Sequence, residues 1–201
     1  VGIVYMCAMP VSMVPDESVH LFTAYHTSNM MMGIDENGCK EKRCVMMREE
    51  DAQYVHQSYN YTDENVVSFL SQIGGKSINE DLVSSGWDTM YGNEYLFIPC
   101  ALGITTGRLL HLNTVSIFLL GRLFNFVFYV ALSMLAVYLI PFGKLLLSSI
   151  LTMPMSFQQG MSFSYDVCVN SIAFLSVAIA FKFAHEETKI IKPRRFDIAR
   201  N

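Results

Sequence analysis

The chain has 201 residues, of which 52% are hydrophobic and 16% are charged, and its formal net charge is −4. Soluble globular proteins have about 25% charged residues, so this composition favours a membrane protein over a soluble one. Basic residues cluster only near the C-terminal end, which excludes the clustered basic face of a nucleic-acid-binding protein.

The charges are divided unevenly along the chain. Residues 12–94 contain 14 acidic and 5 basic residues, whereas residues 95–201 contain 4 acidic and 9 basic residues. The net charges of these two parts are −9 and +5. We therefore interpret the first part as a polar acidic loop and the second as a membrane-embedded part with basic flanks.

The apolar segment 1–11 is too short to cross a bilayer, which takes about 20 apolar residues. We interpret it as the end of a first membrane helix in a chain that is truncated at its N-terminus, because a signal peptide would begin with positive charge. The acidic loop, 12–94, is expected to carry short amphipathic helices over 18–32 and 65–73.

Two of the five cysteines, Cys39 and Cys44, lie in this loop. If the loop is outside the cytoplasm, they could form a disulfide bond. Two free thiols fit the sequence equally well. The cysteine and histidine spacings match no zinc motif.

Segment 95–112 is apolar, but proline, two glycines, Arg108 and His111 interrupt it. This composition favours a re-entrant or interfacial helix over a membrane-spanning one. The alternative, in which the segment crosses the membrane, would move the acidic loop to the other side.

Residues 113–184 are predicted to form three membrane helices, with turns near 141–144 and 161–166. The segment 185–201 is rich in lysine and arginine and is expected to be cytoplasmic by the positive-inside rule. Counting back through the helices places Asp166 outside the cytoplasm. If 95–112 does not cross, the acidic loop lies outside as well. The fold class is then all-α: a fragment of a polytopic helical protein of the cell membrane with a large extracytoplasmic loop.

Five short motifs carry a resemblance to a bacterial family of polytopic membrane proteins, catalogued as domain of unknown function 2142. The resemblance covers roughly residues 10–30 and 95–184. In chain order the motifs are VPDESVH (14–20), GRLFN (121–125), IPFGK (140–144), MPMS (153–156) and SFSYD (162–166). That family in turn is similar to membrane glycosyltransferases of the GT-C type, which use lipid-phosphate-linked sugars.

The GT-C resemblance implies an acidic pair in the first extracytoplasmic loop, and Asp16 and Glu17 stand at that position. A carboxylate at a lipid–water boundary is partly desolvated, which makes it a better base for an acceptor hydroxyl. We assign Asp16 as this base and Glu17 as a group that orients the acceptor or binds a divalent cation. The alternative is that Asp16 caps the following helix and that the negative charge of Glu17 interacts favourably with the helix dipole.

Four further residues are candidates for substrate binding. His20 follows the acidic pair by one helical turn and could carry a proton or ligate a metal, or be an ordinary interfacial histidine. Arg122 lies inside an apolar helix, where charges tend to be functional; it could hold a lipid phosphate, pair with Asp166 or snorkel to the interface. Arg108 and His111 are expected in the same layer, where they could help hold phosphate or be ordinary interfacial anchors. Asp166 could be a second acid, a partner for Arg122 or a residue that suits the helix dipole at a helix start.

The sequence thus predicts a membrane glycosyltransferase-like protein of cell-surface polysaccharide assembly. Its donor would be a polyprenyl-phosphate sugar, and membrane lipid would surround it. The alternative is a non-catalytic membrane subunit or a transporter of an envelope assembly system. Few ionisable residues lie within the apolar segments, which counts against transport.

Overall fold

The computed structural model describes residues 4–6, 9, 11, 16–36, 44–56, 63–87, 89 and 92–198. Helices dominate, and one two-stranded antiparallel sheet pairs Met46–Arg48 with Leu82–Ser84. The elements in chain order are α1 (Glu17–Met32), β1 (Met46–Arg48), α2 (Glu49–His56), α3 (Asp63–Ser71), β2 (Leu82–Ser84), a 3-10 turn (Glu94–Phe97), α4 (Ile98–Leu109), α5 (Thr114–Leu139), α6 (Lys144–Leu151), α7 (Pro154–Gly160) and α8 (Asp166–Ile198).

Two helices in the described part of the chain are long and apolar enough to cross a membrane. One is α5, with 26 residues, and the other is the segment Asp166–Glu187 of α8, with 22 residues. An α-helix rises about 1.5 Å per residue, so both exceed the roughly 30 Å of a hydrocarbon core. Their composition supports the membrane location that the sequence predicts.

The segment 145–160, for which the sequence predicts one membrane helix, forms the two short helices α6 and α7. Pro154 stands in the first turn of α7, and Met153 before it has an extended backbone. Proline lacks the N–H that would continue the hydrogen bonding of α6, and its ring disfavours helical geometry at the preceding residue. Helix α6 therefore ends at Leu151, and α7 begins as a separate helix at Pro154.

Helix α4 has 12 residues and lies against the first half of α5. A Cβ atom at Gly103 would stand 2.4 Å from the carbonyl oxygen of Leu120, and one at Gly107 would stand 2.6 Å from the side chain of Ile117. Glycine at these two positions lets the helix backbones approach closely. A rise of about 18 Å leaves α4 shorter than the hydrocarbon core.

The apolar core has two parts. The first joins α1, α4 and the start of α5, with Tyr25, Phe97 and Phe118 among its buried side chains. The second lies between the end of α5, α6 and α8. The core thus fixes the start of α1, from the acidic loop, against the membrane helices.

Candidate functional site

A pocket of about 260 Å³ lies where the start of α1, helix α7 and the start of α8 meet. Its lining includes Asp16, Glu17, His20 and Asp166, with Gln159 of α7 between them. We name it the acidic pocket. Four of the six candidate residues from the sequence, separated by up to 150 positions, therefore contribute to one pocket.

Asp16 is exposed and occupies the N-cap position of α1, where its carbonyl accepts a hydrogen bond from the His20 N–H at 3.2 Å. Its side chain makes no capping hydrogen bond. Its φ of 60° is left-handed, which costs free energy in a residue other than glycine, although aspartate tolerates it better than most. The carboxylate is thus left available to the pocket.

Glu17 and Arg122 are both about 1% exposed and form an ion pair. The guanidinium donates from Nε to Oε1 at 2.8 Å and from Nη2 to Oε2 at 2.6 Å. Its Nη1 donates to the carbonyl oxygens of Met6 and Met9. The carboxylate that pairs with Arg122 is therefore Glu17 and not Asp166, because two parallel N–H groups match one carboxylate that is buried with them.

His20 is half-buried between two aromatic rings. Its ring centroid lies 5.8 Å from that of Phe97 and 5.2 Å from that of Tyr165. Its Nδ1 is buried without a hydrogen-bond partner. Burial lowers the pKa of His20 below its ordinary value, against the opposing effect of the nearby carboxylates, first of all Asp166. The imidazole is therefore favoured in its neutral form, which can accept a proton.

Asp166 is the first residue of α8, where a negative charge suits the helix dipole. Its Oδ2 accepts a hydrogen bond from Gln159 Nε2 at 3.0 Å, and its backbone N–H donates to Ser164 Oγ at 3.1 Å. The carboxylates of Asp16 and Asp166, which are 150 positions apart in the sequence, thus line the same pocket.

Arg108 does not line the acidic pocket. It is 6% exposed, and its Nη1 donates to Asn29 Oδ1 at 2.7 Å and to Ser28 Oγ at 3.3 Å. Its guanidinium carbon lies 4.7 Å from the centroid of the Tyr25 ring. Arg108 and Arg122 are thus each buried with their own polar partners, Asn29 and Ser28 for Arg108 and Glu17 for Arg122.

Sequence reasoning missed Gln159 and the role of Asn125. The Nδ2 group of buried Asn125 donates to the carbonyl oxygens of Ser162 and Ser164, at 2.8 and 3.2 Å. It thereby holds the turn that leads into Asp166. The motif GRLFN contained a signal for Asn125, because Arg122 and Asn125 are two polar residues one helical turn apart on an otherwise apolar helix.

Metal binding was one role considered for Glu17 and His20. Within the described ranges, no three or more His, Cys, Asp or Glu side chains are grouped so that they could hold a metal ion.

Cys44 is in a disulfide bond. Cys39, the partner that the sequence suggests for it, lies outside the described residues.

Comparison with known protein families gives a match over almost the whole chain. The model of the family described as "Predicted membrane protein (DUF2142)" matches residues 1–199. This range includes the middle of the acidic loop, which the motif-based resemblance did not cover. No curated protein and no solved structure matches the chain.

Proposed function

The chain belongs to the DUF2142 family of predicted membrane proteins, and from that premise we propose that it is a GT-C-like glycosyltransferase. In this proposal the acidic pocket transfers a sugar from a lipid phosphate to an acceptor hydroxyl during cell-surface polysaccharide assembly. The pocket opens on the extracytoplasmic side of the cell membrane.

The observation that carries the proposal is the convergence of Asp16, His20 and Asp166 on one pocket. Glu17 has a structural role, because it pairs with Arg122. Asp16 instead makes no capping bond, and Asp166 accepts a hydrogen bond from the neutral amide of Gln159. Acid–base residues that converge on a pocket are a feature of catalytic sites.

The proposed reaction is a single displacement at the anomeric carbon of the sugar. The oxygen of the acceptor hydroxyl forms a bond to that carbon, and the bond from the carbon to the lipid phosphate oxygen breaks. The hydroxyl proton passes to the Asp16 carboxylate, and the lipid phosphate leaves with the electron pair. Neutral His20 and Asp166 orient the acceptor, and the Glu17–Arg122 pair positions the start of α1.

A second cavity supports a donor with a hydrocarbon tail. It has about 450 Å³, lies between α5, α6 and α7, and has mainly apolar walls, including Val130, Val137 and Leu151. Helix α7 contributes Phe157 to this cavity and Gln158 to the acidic pocket. A lipid tail in the cavity would therefore bring its phosphate end towards the acidic pocket along one short helix.

Activity can be tested with the chain in lipid nanodiscs and a panel of synthetic polyprenyl-phosphate sugars. Release of polyprenyl phosphate would be followed with wild type, Asp16→Asn, Asp166→Asn and, as a control, Glu64→Gln on the exposed surface of α3. We expect both pocket variants to lose at least about 100-fold in rate, which is typical for a general base, with unchanged thermal unfolding. Equal activity of wild type and Asp16→Asn would favour the alternative, a non-catalytic membrane subunit.

The membrane side of the pocket can be tested by cysteine labelling of intact cells with an impermeant maleimide. Ser71 and Lys144 are exposed positions on opposite sides of α5 in the chain. We expect Ser71→Cys to be labelled above the wild-type background and Lys144→Cys to be protected. The reverse pattern would put the acidic pocket on the cytoplasmic side and contradict an extracytoplasmic transferase.

A further inference from the structure

We propose that a third cavity, at the end of α4, binds a phosphate group through Arg108. This pocket has about 220 Å³ and is separate from the acidic pocket. Arg108 and Arg48 contribute to its wall, together with Glu80 and His111. We name it the Arg108 pocket.

Arg108 brings a buried positive charge to this pocket without a carboxylate partner among the described residues. Its Nη1 bonds to the neutral side chains of Asn29 and Ser28, and one face lies over Tyr25. Burying a charge without an opposite charge is costly, so a buried arginine normally pairs with an anion. The other two buried arginines of the described residues have such partners: Arg48 pairs with Asp51, and Arg122 pairs with Glu17.

The other charges around the Arg108 pocket are paired with one another. Arg48 donates to both oxygens of Asp51, each at 2.8 Å, and lies 3.0 Å from Glu50. Glu80 accepts a hydrogen bond from His111 Nδ1 at 2.8 Å and stands 3.9 Å from Arg48. The positive charge that remains for a ligand is therefore that of Arg108.

The geometry of the guanidinium points to phosphate. Its Nη1 donates to the protein, and the other edge of a guanidinium, formed by Nε and Nη2, has two parallel donors that match two oxygens of a phosphate group. The side chains of Met32, Ile34, Leu82 and Leu109 make the remaining wall apolar. An apolar substituent on the phosphate fits this wall.

The phosphate could belong to a membrane lipid or to a soluble phosphate ester. Leu109 and Leu110 beside the pocket are 64% and 54% exposed, and the candidate membrane helix α5 begins four residues later. Both sources share the same recognition chemistry, so the experiment needs one arm for each.

The first arm measures binding of inorganic phosphate to the chain in phosphatidylcholine nanodiscs by equilibrium dialysis. The second measures retention of phosphatidic acid from mixed nanodiscs by native mass spectrometry. The variants are Arg108→Gln, Arg108→Lys and Glu80→Gln. The control is Lys182→Gln, which removes a cation of α8 that lines neither the Arg108 pocket, the acidic pocket nor the apolar cavity.

We expect Arg108→Gln to weaken binding about tenfold or more, and Arg108→Lys to weaken it less. Glu80→Gln removes a negative charge from the rim and should tighten binding about fivefold, a gain that unfolding cannot mimic. Binding of phosphate identifies a soluble ligand, and retention of phosphatidic acid alone identifies a lipid. Absence of both, or affinities that none of the Arg108 and Glu80 variants changes, overturns the proposal.

Discussion

Glu17 at the start of α1 and Arg122 inside α5 are 105 positions apart in the sequence and form a buried ion pair with two hydrogen bonds, at 2.8 and 2.6 Å. The pair fixes the first turn of α1 against a candidate membrane helix. Asp16 precedes Glu17 and His20 follows it, so the position of the acidic pocket depends on this contact.

Removing one member of the pair should destabilise the protein strongly. Arg122→Met leaves the Glu17 carboxylate buried without its cation, and we expect the free energy of unfolding to fall by about 3–5 kcal/mol. The double variant Glu17→Gln, Arg122→Met should recover much of this loss. Urea unfolding in detergent micelles, followed by circular dichroism, would measure the difference. Equal stability of Arg122→Met and wild type would contradict a tight pair.

The stability of the fold should decrease in mild acid because of His20. Its folded-state pKa lies below the ordinary 6.5, so the unfolded chain binds more protons than the folded one as the pH falls below about 6.5. The free energy of unfolding therefore falls between the two pKa values and is constant above them, as far as His20 is concerned.

The measurement is the midpoint of thermal unfolding from pH 7.5 to 5. His20→Gln should show a smaller decrease than wild type, because the variant lacks the imidazole. An identical decrease in His20→Gln and wild type would show that other groups cause the acid sensitivity.

The left-handed backbone of Asp16 can be tested separately from its charge. At a φ of 60°, glycine is free of the steric cost that a side chain brings, so Asp16→Gly should raise the free energy of unfolding by about 0.5–1 kcal/mol. Asp16→Val should lower it by about 1–2 kcal/mol, since a β-branched side chain disfavours this geometry. Both variants should lose activity in the transfer assay, because both lack the carboxylate. A stable, fully active Asp16→Gly would contradict the assignment of Asp16 as the base.

The close contact of α4 and α5 should tolerate no added methyl group. A Cβ at Gly103 would meet backbone atoms of Leu120 and Gly121 at 2.4 to 2.7 Å, so Gly103→Ala must push the helices apart, at a cost of about 1–3 kcal/mol or more. At Gly160 the nearest atom would be 3.3 Å away, in the Tyr129 ring, which can shift. We expect Gly160→Ala to cost less than Gly103→Ala in the same urea experiment. The reverse order would be inconsistent with this packing.

The candidate site could be predicted from the sequence only in part. The resemblance to GT-C enzymes pointed to Asp16, helical spacing from Asp16 and Glu17 pointed to His20, and a position at a helix start pointed to Asp166. All three line the acidic pocket. The partner of Arg122 could not be predicted, since both Glu17 and Asp166 were expected on its side of the membrane. The partners of Arg108 could not be predicted either, because Ser28 and Asn29 lie on α1 and carry no charge that would mark them.

The sequence by itself determined the features that depend on the composition of short segments. The length of the apolar runs predicted α5 and the first part of α8, because a bilayer requires about 20 consecutive apolar residues, and turn residues marked their ends. The tertiary structure decided the rest: the pairing of Glu17 with Arg122, the hydrogen bonds of Arg108 to Asn29 and Ser28, and the presence of Asp16 and Asp166 in one pocket. These arrangements depend on how the helices pack across more than 70 positions of the sequence, which no local pattern determines.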